Sequence, residues 1–402
     1  MPSKAGGRRR WRRSLARSLA VTLALSALAG CGLGQKVGDL ITSNDDAIEP
    51  AELVEFEPTL DVVRAWSGSV GKGSDDHYLK LTPSIRDGIV YAAERGGRVR
   101  AVELESGREL WETKIKKLLI SGAPGASPEV VVIGGSEAEV VALASADGTE
   151  LWRTTVSSEV LAPPQVSGNT VLVRSGDGKL HALNAQSGAR QWIYDRSVPI
   201  LTLRGSSAPV VYRDTVIAGF DSGRLAALEL GSGKALWETR IAIPSGRSDL
   251  ERMVDIDSTP VIRGDTVYVA SFQGQVAAVT LATGQIQWTR EISSYAGLAV
   301  DGTAVYVADA ESSIWALDRL TGSSLWKQDA LYARRITAPT VFRDHVIVGD
   351  FEGYLHWMSP VDGSFKARSS ASNKALLIAP LAAGETLLSF ASNGKMAAFR
   401  LP

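Results

Sequence analysis

Few residues of this 402-residue chain have both the type and the spacing for chemistry. The four histidines, His77, His181, His345 and His356, fall in different repeat units, and none stands at metal-ligand spacing from another. His356 reads as a strand residue. Asp177, Asp221 and Asp350 occupy comparable hairpin turns, where a carboxylate ordinarily caps backbone amides. No nucleophile elbow, glycine-rich phosphate loop or paired-carboxylate site stands out. One cysteine, Cys31, excludes a disulfide within the chain and a four-cysteine zinc site. No cofactor and no metal site are expected, and the chain does not read as an enzyme.

The thiol of Cys31 has a different chemistry open to it. Arg8 to Arg13 form a basic stretch, Leu15 to Leu28 an apolar run, and Leu28-Ala29-Gly30-Cys31 follows. That order is that of a signal peptide with small residues before the cut. The run is short for a membrane-spanning helix. The four residues resemble the bacterial lipobox. The resemblance implies cleavage after residue 30, a diacylglyceryl group on the Cys31 sulfur and an acyl chain on its amine. Two or more acyl chains anchor stably where one does not. Gly32, rather than aspartate, implies sorting to the outer membrane. Arg12-Arg13 fits a twin-arginine signal poorly, so Sec export is expected.

Charge separates along the chain. The first thirty residues hold seven of the 43 basic residues and none of the 44 acids, leaving 36 against 44, a net of -8. A body of that sign does not invite nucleic acid. Residues 31–55 are mixed, polar and acidic, and read as a lipidated flexible tether.

The elements beyond residue 56 are announced by a repeat. Trp66, Trp111, Trp152, Trp192, Trp237, Trp288 and Trp326, then Phe365, are separated by 45, 41, 40, 45, 51, 38 and 39 residues. Each interval holds short β-branched runs such as Thr266-Val267-Tyr268-Val269-Ala270, read as alternating. Turns such as Asp147-Gly148, Ser187-Gly188 and Asp362-Gly363 precede the aromatic, with glycine supplying a positive φ. A period near 40 with four strands per unit predicts a β-propeller. Seven units end at Trp111 through Phe365; an eighth, from about Leu377, stops at Phe399 without its fourth strand. The missing strand is Val62 to Val70, so residues 56–402 are expected to form an all-β, eight-bladed propeller of four-stranded antiparallel blades. The N-terminal strand completes its last blade and spares an unpaired edge. The repeated tryptophans are expected to be core, packed on the next blade.

Ala182-Leu183-Asn184-Ala185-Gln186-Ser187-Gly188-Ala189-Arg190-Gln191-Trp192 and Ala316-Leu317-Asp318-Arg319-Leu320-Thr321-Gly322-Ser323-Ser324-Leu325-Trp326 resemble the PQQ-type propeller repeat. Quinoprotein dehydrogenases share that fold. They are larger, hold PQQ beside Ca²⁺ and often carry an adjacent cysteine pair, which this chain lacks. The layout of lipobox, short tether and eight repeats resembles the BamB lipoprotein family of the outer-membrane β-barrel assembly machinery. So do Leu201-Thr202-Leu203-Arg204-Gly205-Ser206-Ser207-Ala208-Pro209, Val254-Asp255-Ile256-Asp257-Ser258-Thr259-Pro260 and Val348-Gly349-Asp350-Phe351-Glu352-Gly353-Tyr354-Leu355-His356-Trp357.

Two adjacent tryptophan intervals, of 45 and 51 residues, carry extra length after the outer strand. In a four-stranded meander the D-to-A loops and B-to-C turns share one face. Val198 to Arg204 is an apolar stretch, and Arg247 to Asp257 a charged one. Exposed leucine beside charge suits a protein-binding patch; leucines folded inward over the blade ends are the alternative. The resemblance implies contact with the periplasmic POTRA domains of the BamA-like barrel subunit through Leu201, Leu203, Arg204, Asp255 and Asp257. No partner contact is assigned to Thr202 and Ile256 between them. It also implies other components of the assembly complex as partners and unfolded outer-membrane proteins as clients. The function expected is a non-enzymatic scaffold on the periplasmic face of the outer membrane. The rival is a periplasmic PQQ-binding oxidoreductase or sensor. A third reading is an envelope adaptor with another partner.

Overall fold

A computed structural model describes residues 48–74, 77–195, 207–243, 247–248 and 253–402. Those residues form thirty-two strands and no helix, in eight sheets of four. Each sheet is an antiparallel meander, its strands lettered A to D from the centre outward. Blades 1 to 7 span 84–114, 120–155, 165–194, 210–240, 261–290, 297–328 and 340–370. Blade 8 takes A, B and C from Leu381–Ala383, Thr386–Phe390 and Lys395–Arg400, and D from Val63–Ser69. The N-terminal strand therefore closes the last blade, Val63 opposite Arg400 and Ser69 opposite Lys395.

Closure is also a matter of packing. Val90, Tyr91 and Ala101 of blade 1 share one apolar cluster with Leu388, Phe390 and Met396 of blade 8. The B and C strands carry most of the core because each blade is covered on both sides. Thr266–Ala270, read from its sequence as alternating, is buried at all five positions. A run without polar relief is what a strand packed on both faces requires. Alternation survives in the D strands, where Glu150–Thr155 buries Trp152 between exposed neighbours.

The repeated tryptophan and the turn glycine are two halves of one joint. Each indole N–H crosses to the next blade and donates to a carbonyl beside its C–D turn. Trp66 reaches Leu104, Trp111 Ser145, Trp152 Ala185 and Trp237 Leu281 at 2.8 Å, and Trp192 reaches Leu230 at 2.9 Å. Trp288 reaches Arg319 at 3.1 Å and Trp326 Pro360 at 2.8 Å. The glycine of that turn lies flat on the indole. At Gly188, with φ +69°, an added Cβ would stand 2.6 Å from the Trp152 ring. The glycine thus serves a close approach as well as a turn.

Phe365 breaks the series for a topological reason. The next blade is blade 8, whose D strand comes from the other end of the chain, so no C–D hairpin is there to receive an indole. Phe56 stacks on Phe365 instead, centroids 5.5 Å apart. Around it the chain is strapped along blade 7. The Thr59 and Leu60 amides donate to Lys366 O at 2.9 and 3.1 Å, Arg368 donates to Val54 O at 2.8 Å, and the Ala51 amide donates to Tyr332 O at 3.0 Å. The tether expected to run to residue 55 is therefore already held from Ala51, because Phe56 fills the place of a missing turn. Cys31 and residues 1–47 lie outside the described residues.

Candidate functional site

The links between blades set the geometry. A D strand ends, and the next A strand begins, on the face that also carries the B–C turns. The blade 3 to 4 link, 195–209, and the blade 4 to 5 link, 241–260, are neighbours on it. Leu201, Leu203 and Arg204 fall in the first link but lie outside the described residues. The feet of the two links are joined. Ser207 Oγ donates to Ser258 O at 3.0 Å, and the Ala208 amide to Thr259 Oγ1 at 3.3 Å. The residues after Arg204 and those after Asp257 are thus one hydrogen-bonded patch.

The second link is anchored by the residue between its two aspartates. Ile256 is fully buried and packs with Ile217, Leu225, Val267 and Val269 of blades 4 and 5. It sits over Gly219, where an added Cβ would be 2.3 Å from the isoleucine side chain. Asp255 O accepts the Phe272 amide at 2.9 Å. Asp255 is 0% and Asp257 6% exposed, because burying Ile256 draws its neighbours into the cleft between two blades. Burial first, and then the charge of Asp221, push Asp257 up to about 6, against Lys80 and Arg174.

The B–C turns on this face are charged and well paired. Arg174 of blade 3 is buried and joins Asp221 of blade 4, with its guanidinium over Phe220. Arg334 repeats the device before blade 7, donating to Asp350 at 2.8 and 3.0 Å, pairing with Glu352 and stacking on Phe351. Asp350 Oδ1 accepts the Glu352 and Tyr354 amides at 3.0 and 2.9 Å, which is the expected capping role. His356 Nε2 lies 3.0 Å from its other oxygen. Burial alone would raise Asp350; His356, the Tyr354 amide and Arg334 hold it below the ordinary carboxylate range. Burial likewise opposes the Ser175, Lys179 and Ser157 contacts that carry Asp177 down to about 2.

The histidines are not in four different blades. His345 and His356 both belong to blade 7, on its B and C strands, because the hairpin joining them is short. His181 is buried against the Ser157 and Ser175 hydroxyls at 3.0 and 3.1 Å. Burial lowers the pKa of His181, His345 and His356.

Some residues of this face escape a sequence reading. The blade 8 to 1 link, 70–83, brings Tyr78 and Lys80 to the axial channel, and the blade 6 to 7 link, 329–339, brings Arg335. The 45-residue interval from Trp66 to Trp111 equals that from Trp192 to Trp237 and was the available signal for the first. Arg174, one charge closing the apolar Thr170–Arg174 strand, was the signal for the buried pair.

The sequence signature of the family described as "Outer membrane protein assembly factor BamB" matches residues 95–328. The assembly factor BamB of Yersinia pestis is 36% identical over 389 residues, covering 94% of this chain and 97% of its own. The crystal structure of BamB from Moraxella catarrhalis superposes with a TM-score of 0.78 at 26% identity, covering 85% of this chain and all of that one. The quinohemoprotein alcohol dehydrogenase of Comamonas testosteroni superposes with a TM-score of 0.66 at 12% identity, covering 85% of this chain and 78% of its own, a likeness of fold alone. With an eight-bladed ring whose long, joined links share one face, and with these likenesses over nearly its whole length, the chain belongs to the BamB family of outer membrane protein assembly factors.

Proposed function

We propose that the chain is a non-enzymatic scaffold lipoprotein of the outer-membrane β-barrel assembly complex. It is anchored through Cys31 at the periplasmic face of the outer membrane and assists insertion of barrel proteins. Family membership over most of the chain carries this reading. The face bearing the D–A links is the docking surface for the BamA-like barrel subunit. Leu201, Leu203 and Arg204 make the direct contacts: leucines supply an apolar anchor, and an arginine offers a forked pair to a carboxylate or carbonyl. Asp255 and Asp257 belong to the same partner-binding surface, at the foot of the second link, where Ile256 between them packs against blades 4 and 5. Support for joint action comes from the Ser207–Ser258 and Ala208–Thr259 hydrogen bonds between the two feet. The outer strands offer a further contact to unfolded clients. Leu110, Leu151, Leu236 and Leu325 are each exposed on a D strand beside the inter-blade tryptophan, where an extended chain could add by β-augmentation.

Leu203→Glu and Arg204→Glu test the interface. Each should abolish co-purification with the barrel subunit from detergent-solubilised membranes while leaving the circular dichroism spectrum and melting temperature of the protein unchanged. Co-purification at wild-type yield would remove the interface assignment.

A further inference from the structure

The ring encloses an axial cavity of about 680 Å³, walled by residues of seven blades and, ahead of blade 4, by Ala208 of the link that leads into it. That is within the range of ligand sites. Much of the wall is apolar, with Pro83, Pro124, Pro163, Pro164 and Pro339 on the A-strand side. Proline rings offer no N–H, so the barrel of the channel supplies few donors. The donors are gathered at the end that opens among the D–A links. Lys80, Arg335, Tyr78 and Tyr295 line the cavity there, with the Phe351 ring and the Asp257 carboxylate.

These donors are spare. Among the described residues, the Lys80 ammonium makes one hydrogen bond, 3.4 Å to Tyr295 O, and no ion pair. The side chains of Arg335, Tyr78 and Tyr295 have no hydrogen-bond or ion-pair partner there. Tyr78 is 70% exposed, while Tyr295 is held edge-on by Phe272, 6.4 Å between centroids. The Arg335 backbone is left-handed, φ +49°, a conformation that non-glycine residues adopt at some cost. Its neighbour Arg334 fixes that turn through Asp350 and the Ala51 carbonyl. Asp257 is nearly buried, and its Oδ1 has no hydrogen-bond partner. Burial lowers the Lys80 pKa, with Asp257 acting the other way. An ammonium desolvated without a paired counter-ion is stabilised by any carboxylate that reaches it.

Two cations against one carboxylate leave a single positive charge at the mouth. A bare anion would leave the apolar wall uncovered, so the charge must arrive on an apolar body. The same face carries the links read above as the docking surface for a protein, which makes a peptide the carrier at hand. We propose that the channel mouth binds an extended peptide segment through one carboxylate, paired with Lys80 and Arg335, and the aromatic or apolar side chain beside it, received by Tyr78, Tyr295 and Phe351. The inference rests on the docking reading only for the choice of a peptide as the carrier.

Calorimetric titration of the full mature protein in detergent tests it with three probes: acetyl-Tyr-Glu-amide, acetyl-Tyr-Gln with a free carboxyl terminus, and acetyl-Tyr-Gln-amide. The amide without a carboxylate should bind at least about tenfold more weakly than the side-chain acid or the terminal acid. Whichever of the two acids binds more tightly identifies the source of the carboxylate. Lys80→Met and Arg335→Ala should each weaken the acids by about tenfold, and Asp257→Asn should tighten them by removing a like charge. Arg335 is exposed, so its variant reports on binding even where Lys80→Met perturbs folding. Equal binding of all three probes, no binding at millimolar concentration, acetate binding as tightly as the acids, or indifference to both cation variants would overturn the proposal. Co-purification with the barrel subunit is read separately. If it persists while no probe binds, the channel site alone fails; if Leu203→Glu leaves it intact, the docking reading alone fails.

Discussion

Gly188→Ala should destabilise the ring much more than Gly168→Ala, although both glycines belong to blade 3 and both have positive φ. Gly168, at φ +54°, has nothing within 4 Å of an added Cβ. Its substitution carries only the left-handed backbone term, about 1–2 kcal/mol. Gly188, at φ +69°, carries the same term and a collision. The new Cβ would stand 2.6 Å from Trp152 Cε3 and 2.9 Å from Cδ2, where carbon contacts prefer about 3.5–4.0 Å. The indole must retreat by about 1 Å. Trp152 is buried, and its N–H is held 2.8 Å from Ala185 O. Losing that bond strands a buried donor, worth about 1–3 kcal/mol. Gly188→Ala should therefore cost about 2–5 kcal/mol in all. Each substitution removes the same glycine freedom from the unfolded chain, so the pair isolates the inter-blade joint. For a body of this size about 1 kcal/mol moves the melting temperature by about 1–2 °C. Scanning calorimetry should show a fall of about 1–4 °C for Gly168→Ala and a further fall of about 1–6 °C for Gly188→Ala. Equal falls would refute the idea that the turn glycine exists to receive the neighbouring tryptophan.

Two further outcomes follow from the same contacts. Asp257 titrates at about 6 when folded, against about 3.9 when unfolded, so the folded protein binds more protons across that window and its stability falls as pH rises from about 4 to about 6. Asp257→Asn removes a penalty of about 3 kcal/mol at neutral pH; urea midpoints compared at pH 4 and pH 7 should show the variant losing less, and parallel pH profiles would contradict the burial argument. Phe56→Ala removes the ring stacked on Phe365 and should make residues 50–60 more susceptible to limited proteolysis, read by mass spectrometry, with the propeller intact; an unchanged cleavage rate would mean that the hydrogen bonds to Lys366 and Tyr332 suffice.

Much of the ring was legible because it is written eight times. One tryptophan per period gave the blade count, and the aborted eighth unit beside an unclaimed N-terminal strand gave the closure, since a D strand has to pair with something. The reading was weaker where one residue answers to two neighbours. Thr266–Ala270 reads as alternating but is buried throughout, because only the stacked blades decide whether a strand has one covered face or two. His345 and His356 are eleven positions apart in the chain and share a blade because the turn between them is tight. Asp255 and Asp257 read as charges on a long loop and prove to be drawn inward by Ile256, whose burial depends on the gap over Gly219.

By itself the sequence determined the period, the number of blades, the strand that closes them, and the position of the two long links. All of these are local patterns or counts. Only the tertiary structure decided which side chains meet across the ring: Arg174 with Asp221, Ser207 with Ser258, Phe56 with Phe365, and Lys80, Arg335, Tyr78 and Tyr295 about one channel. Those partners come from different parts of the ring, and Phe56 and Phe365 are 309 residues apart in the chain. Their meeting is fixed by how eight twisted sheets close around an axis, which no local pattern encodes.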